Sequence, residues 1–245
     1  MNAPHRLPPV VESEVDITTE DALWYNIVYY FTKAYFTLFH DIRTVDAWRV
    51  PSKGPVLLLP NHTSFYDPPV VGVALQRRSF YLARKTLFNN RLFAKPIKSI
   101  NAIPIDQKSA GWDGIRHSIT LLENQKALVI FPEGTRTMDG EMVDFQPGVH
   151  LLLKRCPVPV VPVGIAGAHE SLPMSKGIRG FSPLGLRHTR HNVVVAFGEP
   201  VDGHALAEMP RKEALRRMEG LVKAQVTRAR EVHKSRQKVL IVNRR

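Results

Sequence analysis

Residues 56–69 read VLLLPNHTSFYDPP, and the organisation of the chain follows from this stretch. The apolar run at its start is typical of a buried strand. Pro68 disfavours a helical conformation at Asp67, and a proline at the first helical position follows naturally from an Asp cap. We therefore predict a strand, a tight loop and a helix over residues 70–75, with His62 and Asp67 delivered together at the strand end.

The spacing of His62 and Asp67 points to a specific chemistry. Five residues correspond to about 500° of rotation on a regular helix, so the two side chains meet only if the chain turns back. A carboxylate on one ring nitrogen fixes the tautomer and leaves the other nitrogen free to take a proton. The chain has no G-x-S-x-G motif, so the proton would come from a substrate hydroxyl. The structural alternative is that His62 caps the strand and Asp67 caps the helix.

Composition places the chain among ordinary globular proteins. It has 245 residues, of which 44% are hydrophobic and 23% charged, and its single cysteine excludes an internal disulfide. Of the net charge of +12, much lies in residues 211–245, which hold twelve Lys or Arg against three acids. A basic face suits nucleic acid, an anionic membrane or anionic soluble substrates. Aromatic residues interleaved with the basic ones, as single-stranded nucleic acid requires, are absent from this tail.

Residues 22–39, ALWYNIVYYFTKAYFTLF, form the most aromatic stretch of the chain. A spanning helix needs about 20 mostly apolar residues, and Asn26 and Lys33 interrupt this one. Because Trp and Tyr prefer the headgroup level, we predict an amphipathic helix lying in the membrane interface. A helix packed on the core and a true membrane span are the alternatives.

The rest of the chain alternates between strand and helix patterns. Besides the strand over 55–59, we predict strands over residues 80–83, 100–105, 127–131 and 192–197, and helices over 87–97, 111–124, 147–154 and 211–233. Prolines make the run PVPVVPV at 157–163 an unlikely central strand, though an edge or bulged strand is allowed. This order predicts an α/β fold, a single layered domain with a mixed, mostly parallel sheet flanked by helices. Residues 1–45 would form the lead and interface helix, and residues 46–245 the catalytic domain with its basic C-terminal helix.

A second motif, FPEGTR at residues 131–136, ends the predicted strand over 127–131. Gly134 permits a positive φ or a close approach of the backbone to a ligand. Arg136 carries a fork of donors suited to phosphate or carboxylate. The alternative is a plain turn with a surface salt bridge between Glu133 and Arg136.

Together, NHTSFYD at 61–67 and FPEGTR at 131–136 resemble two signature blocks of the glycerolipid acyltransferase superfamily, N-H-x4-D and F-P-E-G-T-R. VPVVPV at 158–163 resembles the fourth block of that family, and the similarity covers roughly residues 50–200. Within the superfamily, a chain of this length most resembles the bacterial 1-acyl-sn-glycerol-3-phosphate acyltransferases.

This resemblance implies that His62, oriented by Asp67, takes the proton from a glycerol-type hydroxyl as the hydroxyl attacks an acyl thioester. It implies that Arg136 binds the acceptor phosphate, and that Glu133 orients either Arg136 or the acceptor. It also implies no metal and no cofactor, with acyl-CoA or acyl-carrier protein as co-substrate. The predicted substrate-binding residues are Asn61, Lys85, Gln107, Glu133, Gly134, Thr135 and Arg136.

One position departs from the family pattern. The second block of the family usually ends in an arginine that helps to hold the acceptor phosphate, but here Gln107 follows Asp106. A neutral amide lacks the charge-assisted donors of Arg. Either Lys108, Lys85 or Arg84 substitutes, or the acceptor is another lysophospholipid or an acylated amine lipid.

The predicted function is therefore that of a membrane-associated O-acyltransferase. It would move a fatty acyl group from acyl-CoA or acyl-carrier protein to the free hydroxyl of a lysophospholipid, above all 1-acylglycerol-3-phosphate, giving phosphatidic acid. We expect the protein at the cytoplasmic face of the membrane, peripheral or monotopic, and without a nucleic-acid partner. A catalytically silent, basic membrane-binding protein is the alternative from another class.

Overall fold

Seven strands form one mixed sheet in the computed structural model, which describes residues 22–89, 100–105, 112–172 and 192–242. The strands are β1 (Arg43–Val45), β2 (Val56–Pro60), β3 (Ser79–Arg84), β4 (Ala102–Ile105), β5 (Ala127–Val129), β6 (Val160–Ala166) and β7 (Val194–Phe197). Their order in the sheet is β1-β7-β6-β2-β5-β3-β4. Strands β2 to β6 run in the same direction, whereas β7 is antiparallel to β6 and β1 is parallel to β7. The predicted α/β fold with a mostly parallel sheet is confirmed.

The helices divide between the two faces of the sheet. They are α1 (Ala22–His40), α2 (Asp67–Ala74), α3 (Trp112–Glu123), α4 (Gly148–Arg155), α5 (Ala168–Ser171), α6 (Gly203–Glu208) and α7 (Arg211–Val242), with short 3-10 helices at Ala47–Arg49 and Lys85–Asn89. Side chains of α1 and α2 belong to one apolar cluster, and side chains of α3, α4, α6 and α7 belong to another.

Strand β2 lies at the centre and takes part in both clusters. All five of its residues are buried. Because successive strand residues point to opposite faces, Val56 and Leu58 pack with α1 and α2, while Leu57 and Leu59 pack with the other helices. The continuous apolar run that predicted this strand is thus explained by burial on both faces.

Strand β6 corrects one prediction. The proline-rich run was predicted to be an unlikely central strand, with an edge or bulged strand allowed, but β6 lies between β2 and β7 and every one of its residues is buried. The carbonyl of Pro162 accepts a hydrogen bond from the N–H of Gly198 at 2.9 Å, one residue beyond the end of β7. Facing residues of antiparallel strands alternate between pairs that exchange two hydrogen bonds and pairs that exchange none, and Pro162 and Gly198 form a pair of the first kind. The missing N–H of Pro162 therefore removes one bond at the end of the β6–β7 ladder, where its loss is tolerated.

Two other predictions need adjustment. Strand β1 was not predicted, because three residues are too few to show a period. The predicted helix over 87–97 lies mostly outside the described residues, and the described part forms the 3-10 helix Lys85–Asn89.

Helix α1 is most deeply buried near its C-terminal end, and Tyr29 in its middle packs against the same apolar cluster. Tyr35 and Phe36 are buried near the C-terminal end, and the Tyr35 hydroxyl lies 3.0 Å from the Tyr66 hydroxyl, just before α2. The outer side exposes six large apolar residues: Leu23, Trp24, Ile27, Tyr30, Phe31 and Leu38. Among the described helices, none combines the length and the apolar character needed to cross a bilayer.

Candidate active site

The loop after β2 folds around the carboxylate of Asp67. One oxygen, Oδ2, accepts hydrogen bonds from the backbone N–H groups of Thr63 at 2.6 Å and Ser64 at 2.7 Å. The same oxygen lies 2.9 Å from Nδ1 of His62. The chain thus turns back as the loop prediction required, and the imidazole and the carboxylate are in direct contact.

Helix α2 begins slightly earlier than predicted. Asp67 is its first residue and Tyr66 its N-cap, so the expectation that Asp67 stays outside the helix is wrong. The first-turn N–H groups of a helix have no intrahelical partner, so Pro68 and Pro69 are tolerated there. The Asp67 carboxylate binds the loop that precedes α2 instead of capping the helix with its side chain.

The Asp67 contact determines which nitrogen of His62 is available. With Nδ1–H donating to Asp67, Nε2 is the nitrogen that can accept a proton. The ring stacks on Phe131 with centroids 4.1 Å apart, and the His62 side chain remains 16% exposed. Asp67 itself is fully buried. This arrangement is that of a general base that an acceptor hydroxyl can reach.

Glu133 holds the same loop from the neighbouring strand end. Its Oε1 accepts a hydrogen bond from the backbone N–H of His62 at 2.6 Å, and its Oε2 accepts one from the N–H of Val143 at 3.0 Å. The residue is 1% exposed, and burial raises the pKa of its carboxyl to about 7, against the lowering effect of the two backbone donors. The nearby charge of Asp67 raises this pKa further.

This position changes the interpretation of Glu133. It forms no ion pair with Arg136, so the surface salt bridge considered as an alternative is absent between these two described residues. Both carboxylate oxygens bind backbone instead. Glu133 therefore positions His62, and the structure lends no support to the prediction that it orients Arg136.

Arg136 lies over the ring of Phe65, with its guanidinium carbon 3.5 Å from the ring centroid. Burial lowers the pKa of Arg136, and the charge of Arg84 at the end of β3 lowers it further. Asp67 acts in the opposite direction on the same pKa. The charges of Arg84 and Arg136 are thus close enough to interact, and an anionic group bound between them would relieve their mutual repulsion.

The other predicted binding residues have different environments. The side-chain amide of Asn61 accepts from the N–H of Ile165 at 2.7 Å and donates to its carbonyl at 3.2 Å. Because both ends of this amide are occupied, we expect Asn61 to fix β2 to β6 and not to contact substrate. Thr135 and Lys85 are exposed, and Gln107 lies outside the described residues.

The backbone conformation at Gly134 is one that favours glycine. The φ of this residue is +71°, and a Cβ there would lie 3.2 Å from the side chain of Gln146. The positive φ that the sequence allowed at Gly134 is thus the conformation that the loop adopts.

Sequence reasoning missed a second histidine beside the loop. Nδ1 of His169, on α5, lies 3.3 Å from the carbonyl oxygen of Thr63. The hydroxyl of Ser64 also donates to the carbonyl of Leu172 at 2.8 Å. Both contacts join residues more than 100 positions apart, so no local sequence pattern predicts them.

A family model for acyltransferases matches residues 41–166, which include His62, Asp67, Glu133 and Arg136. This chain belongs to the acyltransferase family. As a member of that family it is an acyl-transferring enzyme, and the loops after β2 and β5 carry both sequence signatures at one edge of the sheet.

Relatives of this acyltransferase have more specific names. The 1-acyl-sn-glycerol-3-phosphate acyltransferase of Bacillus subtilis is 26% identical over 76% of this chain and 86% of its own length. The protein of the same name from Streptococcus pneumoniae is 29% identical, over 60% of this chain and 50% of its own. The crystal structure of the 1-acyl-sn-glycerophosphate (LPA) acyltransferase PlsC from Thermotoga maritima superimposes with a TM-score of 0.69 at 26% identity, covering 83% of this chain and 78% of that one.

Replacing the imidazole tests its role as the base. We expect His62→Ala to lower kcat for acyl transfer by about 10²–10⁴, because the proton-accepting nitrogen is lost. The melting temperature should stay close to that of the parent protein. His117→Ala, which removes a half-buried histidine of α3, is the matched control and should leave kcat unchanged. Unchanged turnover in His62→Ala would remove this residue from the chemistry.

Glu133→Gln tests the link between the two strand ends. Burial raises the pKa of Glu133 to about 7 in the folded state, from an ordinary value of 4.5. The unfolded state therefore releases the carboxyl proton at a lower pH than the folded state does. As a result, the parent protein loses stability as pH rises from about 4.5 to 7. Glutamine cannot ionise, so the Glu133→Gln variant should not lose this stability. Its free energy of unfolding relative to that of the parent protein should therefore rise by on the order of 3 kcal/mol over this range. Urea unfolding of both proteins at pH 5 and pH 8 measures the difference. Parallel pH profiles would contradict the raised pKa.

Proposed function

We propose that this acyltransferase transfers a fatty acyl group from an acyl-CoA or acyl-carrier-protein thioester to the free hydroxyl of 1-acylglycerol-3-phosphate, forming phosphatidic acid. The proposal rests above all on the 2.9 Å contact between His62 Nδ1 and Asp67 Oδ2. That contact leaves Nε2 as a base at the end of β2, beside a loop that carries Arg136. The names of the relatives from Bacillus subtilis and Thermotoga maritima support the choice of acceptor.

The proposed chemistry follows from this geometry. Nε2 of His62 takes the hydroxyl proton as the acceptor oxygen attacks the thioester carbonyl carbon. The carbon–sulfur bond then breaks, an ester forms, and the imidazolium returns the proton to the departing thiolate. Asp67 stabilises the imidazolium between these steps without itself taking the proton. The step needs no nucleophilic side chain, because the attacking oxygen belongs to the substrate.

The acceptor phosphate is assigned to the cations of Arg136 and Arg84. Arg136 is preoriented by stacking on Phe65, so little side-chain freedom is lost when it binds an anion. Arg84 is exposed at the end of β3 and influences the pKa of Arg136, which indicates that the two charges lie near one another. Arg84 can thus supply the second cation that Gln107 does not.

Gln107 favours a second candidate within the same reaction class. If the family's usual arginine is needed for a phosphate monoester, an enzyme with glutamine there would prefer another lysophospholipid or an acylated amine lipid. The two candidates differ in the acceptor and agree on His62 and Asp67.

Product analysis separates these candidates. The protein is incubated with labelled acyl-CoA, or with labelled acyl-carrier protein, and a panel of lysolipids that differ in headgroup. We expect labelled phosphatidic acid as the main product. Preferential labelling of a zwitterionic or amine lipid would select the second candidate, and no labelled lipid with any acceptor would refute acyl transfer to lysolipids altogether.

Arg136→Gln tests the phosphate assignment. Loss of a charge-assisted hydrogen bond of roughly 1.5–3 kcal/mol should raise the KM for 1-acylglycerol-3-phosphate about tenfold or more, with little change in the KM for the acyl donor. Steady-state kinetics with each substrate varied in turn measure both constants. Arg116→Gln, which neutralises an exposed arginine on α3, is the control. Equal rises in both KM values would contradict a role specific to the acceptor.

We further propose that α1 attaches the protein to the cytoplasmic face of a membrane as a peripheral or monotopic protein. Its exposed apolar side chains include Trp24, Tyr30 and Phe31, of which Phe31 is 70% exposed. Large aromatic side chains in contact with water are unfavourable, and their burial at the headgroup level would remove that penalty. A lysophospholipid acceptor resides in the same layer, so attachment would bring the enzyme to its substrate.

Ile27→Glu/Phe31→Glu should weaken this attachment. Two carboxylates on the apolar face oppose insertion, so we expect most of the protein to remain in the supernatant when liposomes are sedimented. Ala224→Glu/Thr227→Glu adds the same charge to an exposed face of α7 and should leave binding unchanged. Release by the α7 variant alone would mean that the basic C-terminal helix, not α1, holds the membrane.

A further inference from the structure

A broad groove lies on the side of the sheet that α1 does not cover. It runs between α3, α4 and the segment that joins α6 to α7, and its volume is roughly 1050 Å³. Cavities of about 300–1,000 Å³ are the usual size for small-molecule sites. The catalytic loops and the lipid acceptor site proposed above do not account for this space.

The chemistry of the groove changes along its length. Near the start of α3 the wall is formed by Trp112, which is 41% exposed, and by Ile115. Towards the end of α4 and the start of α7 it carries Lys154, Arg211 and Lys212, and among the described residues that line it the one carboxylate is Glu208. An aromatic surface followed by a cluster of cations suits a ligand with a flat ring and several phosphates.

A buried histidine lines the same groove. His150 is only 4% exposed, and its Nε2 makes no hydrogen bond to any described residue. Leaving a buried polar atom without a partner costs about 1–3 kcal/mol. Because Nε2 is itself inaccessible from the groove, His150 bears this cost without contacting a ligand and contributes only to the wall of the groove.

The groove reaches the back of the catalytic loops. Gln146 lines it and donates its backbone N–H to the carbonyl of Pro132 at 2.8 Å, next to Glu133. From Gly148 to Lys154 the groove follows α4 for about 9 Å, given a rise of 1.5 Å per residue. A ligand bound at the cationic end would therefore need a long flexible arm to bring its reactive group to His62.

We infer that this groove binds the nucleotide end of an acyl-CoA donor, the 3′-phosphoadenosine diphosphate, while the pantetheine arm extends towards His62. This inference rests on the proposed acyl transfer from a CoA thioester and adds the place where the donor is held. Trp112 stacks on adenine, and Lys154, Arg211 and Lys212 bind the phosphates. A carrier-protein donor has the pantetheine arm but no adenosine phosphates, so these contacts are specific to CoA.

Lys154→Glu/Lys212→Glu tests the inference through donor kinetics. We expect the KM for acyl-CoA to rise at least tenfold, while the KM for the acyl-phosphopantetheine of the same chain length and the kcat stay unchanged. Lys223→Glu/Lys234→Glu makes the same change in charge at two exposed lysines elsewhere on α7 and should affect neither donor. Equal effects of both variants, or an equal rise for both donors, would overturn the assignment.

Direct binding measurements distinguish failure of the groove assignment from failure of the proposed function. Titration calorimetry of the full chain with free CoA should show loss of affinity in Lys154→Glu/Lys212→Glu and none in the control. If acyl transfer occurs but CoA affinity is equal in both variants, the groove assignment fails and the proposed function stands. If CoA binding depends on the groove but no lipid is acylated, the proposed function fails instead. A rise confined to the KM for acyl-carrier protein would identify the groove as a protein-docking surface and overturn nucleotide binding.

Discussion

The carboxylate of Asp67 is the interaction on which the site depends. One buried oxygen receives the N–H groups of Thr63 and Ser64 together with Nδ1 of His62, whereas the other oxygen, Oδ1, bonds no described residue. A buried charge is tolerated only when it is well bonded, so any loop conformation that gives up these donors is unfavourable. The same contact therefore holds the loop closed and fixes the imidazole tautomer.

A second carboxylate joins this loop to the rest of the fold. Glu133 follows β5, and β5 lies next to β2 in the sheet, so the two strand ends are neighbours although 71 residues separate Glu133 from His62. Its two oxygens accept backbone N–H groups from His62 and Val143. Parallel pairing thus brings the two signature motifs together, and burial of this link raises the pKa of the carboxyl that forms it.

The sheet separates two environments that the proposed reaction must bring together. The face covered by α1 and α2 presents exposed aromatic side chains suited to a lipid surface. The opposite face carries the groove between α3, α4 and α7, with cations suited to a water-soluble phosphorylated donor. His62 lies at the edge between them, where the carboxyl ends of the parallel strands meet. In this arrangement, each substrate would approach the base from its own side.

The sequence by itself determined the features that depend on neighbouring residues. The apolar run before His62, the Asp67 turn and the amphipathic helices could be read locally, because strand burial, loop closure and helix periodicity involve residues close in the chain. Only the tertiary structure decided that β6 is central despite Pro162 and that Glu133 binds the backbone N–H of His62. It also decided that the side-chain amide of Asn61 is hydrogen-bonded to the backbone of Ile165. Each of these depends on strand order and register, which bring together groups that are 70 or more residues apart and that no local pattern encodes.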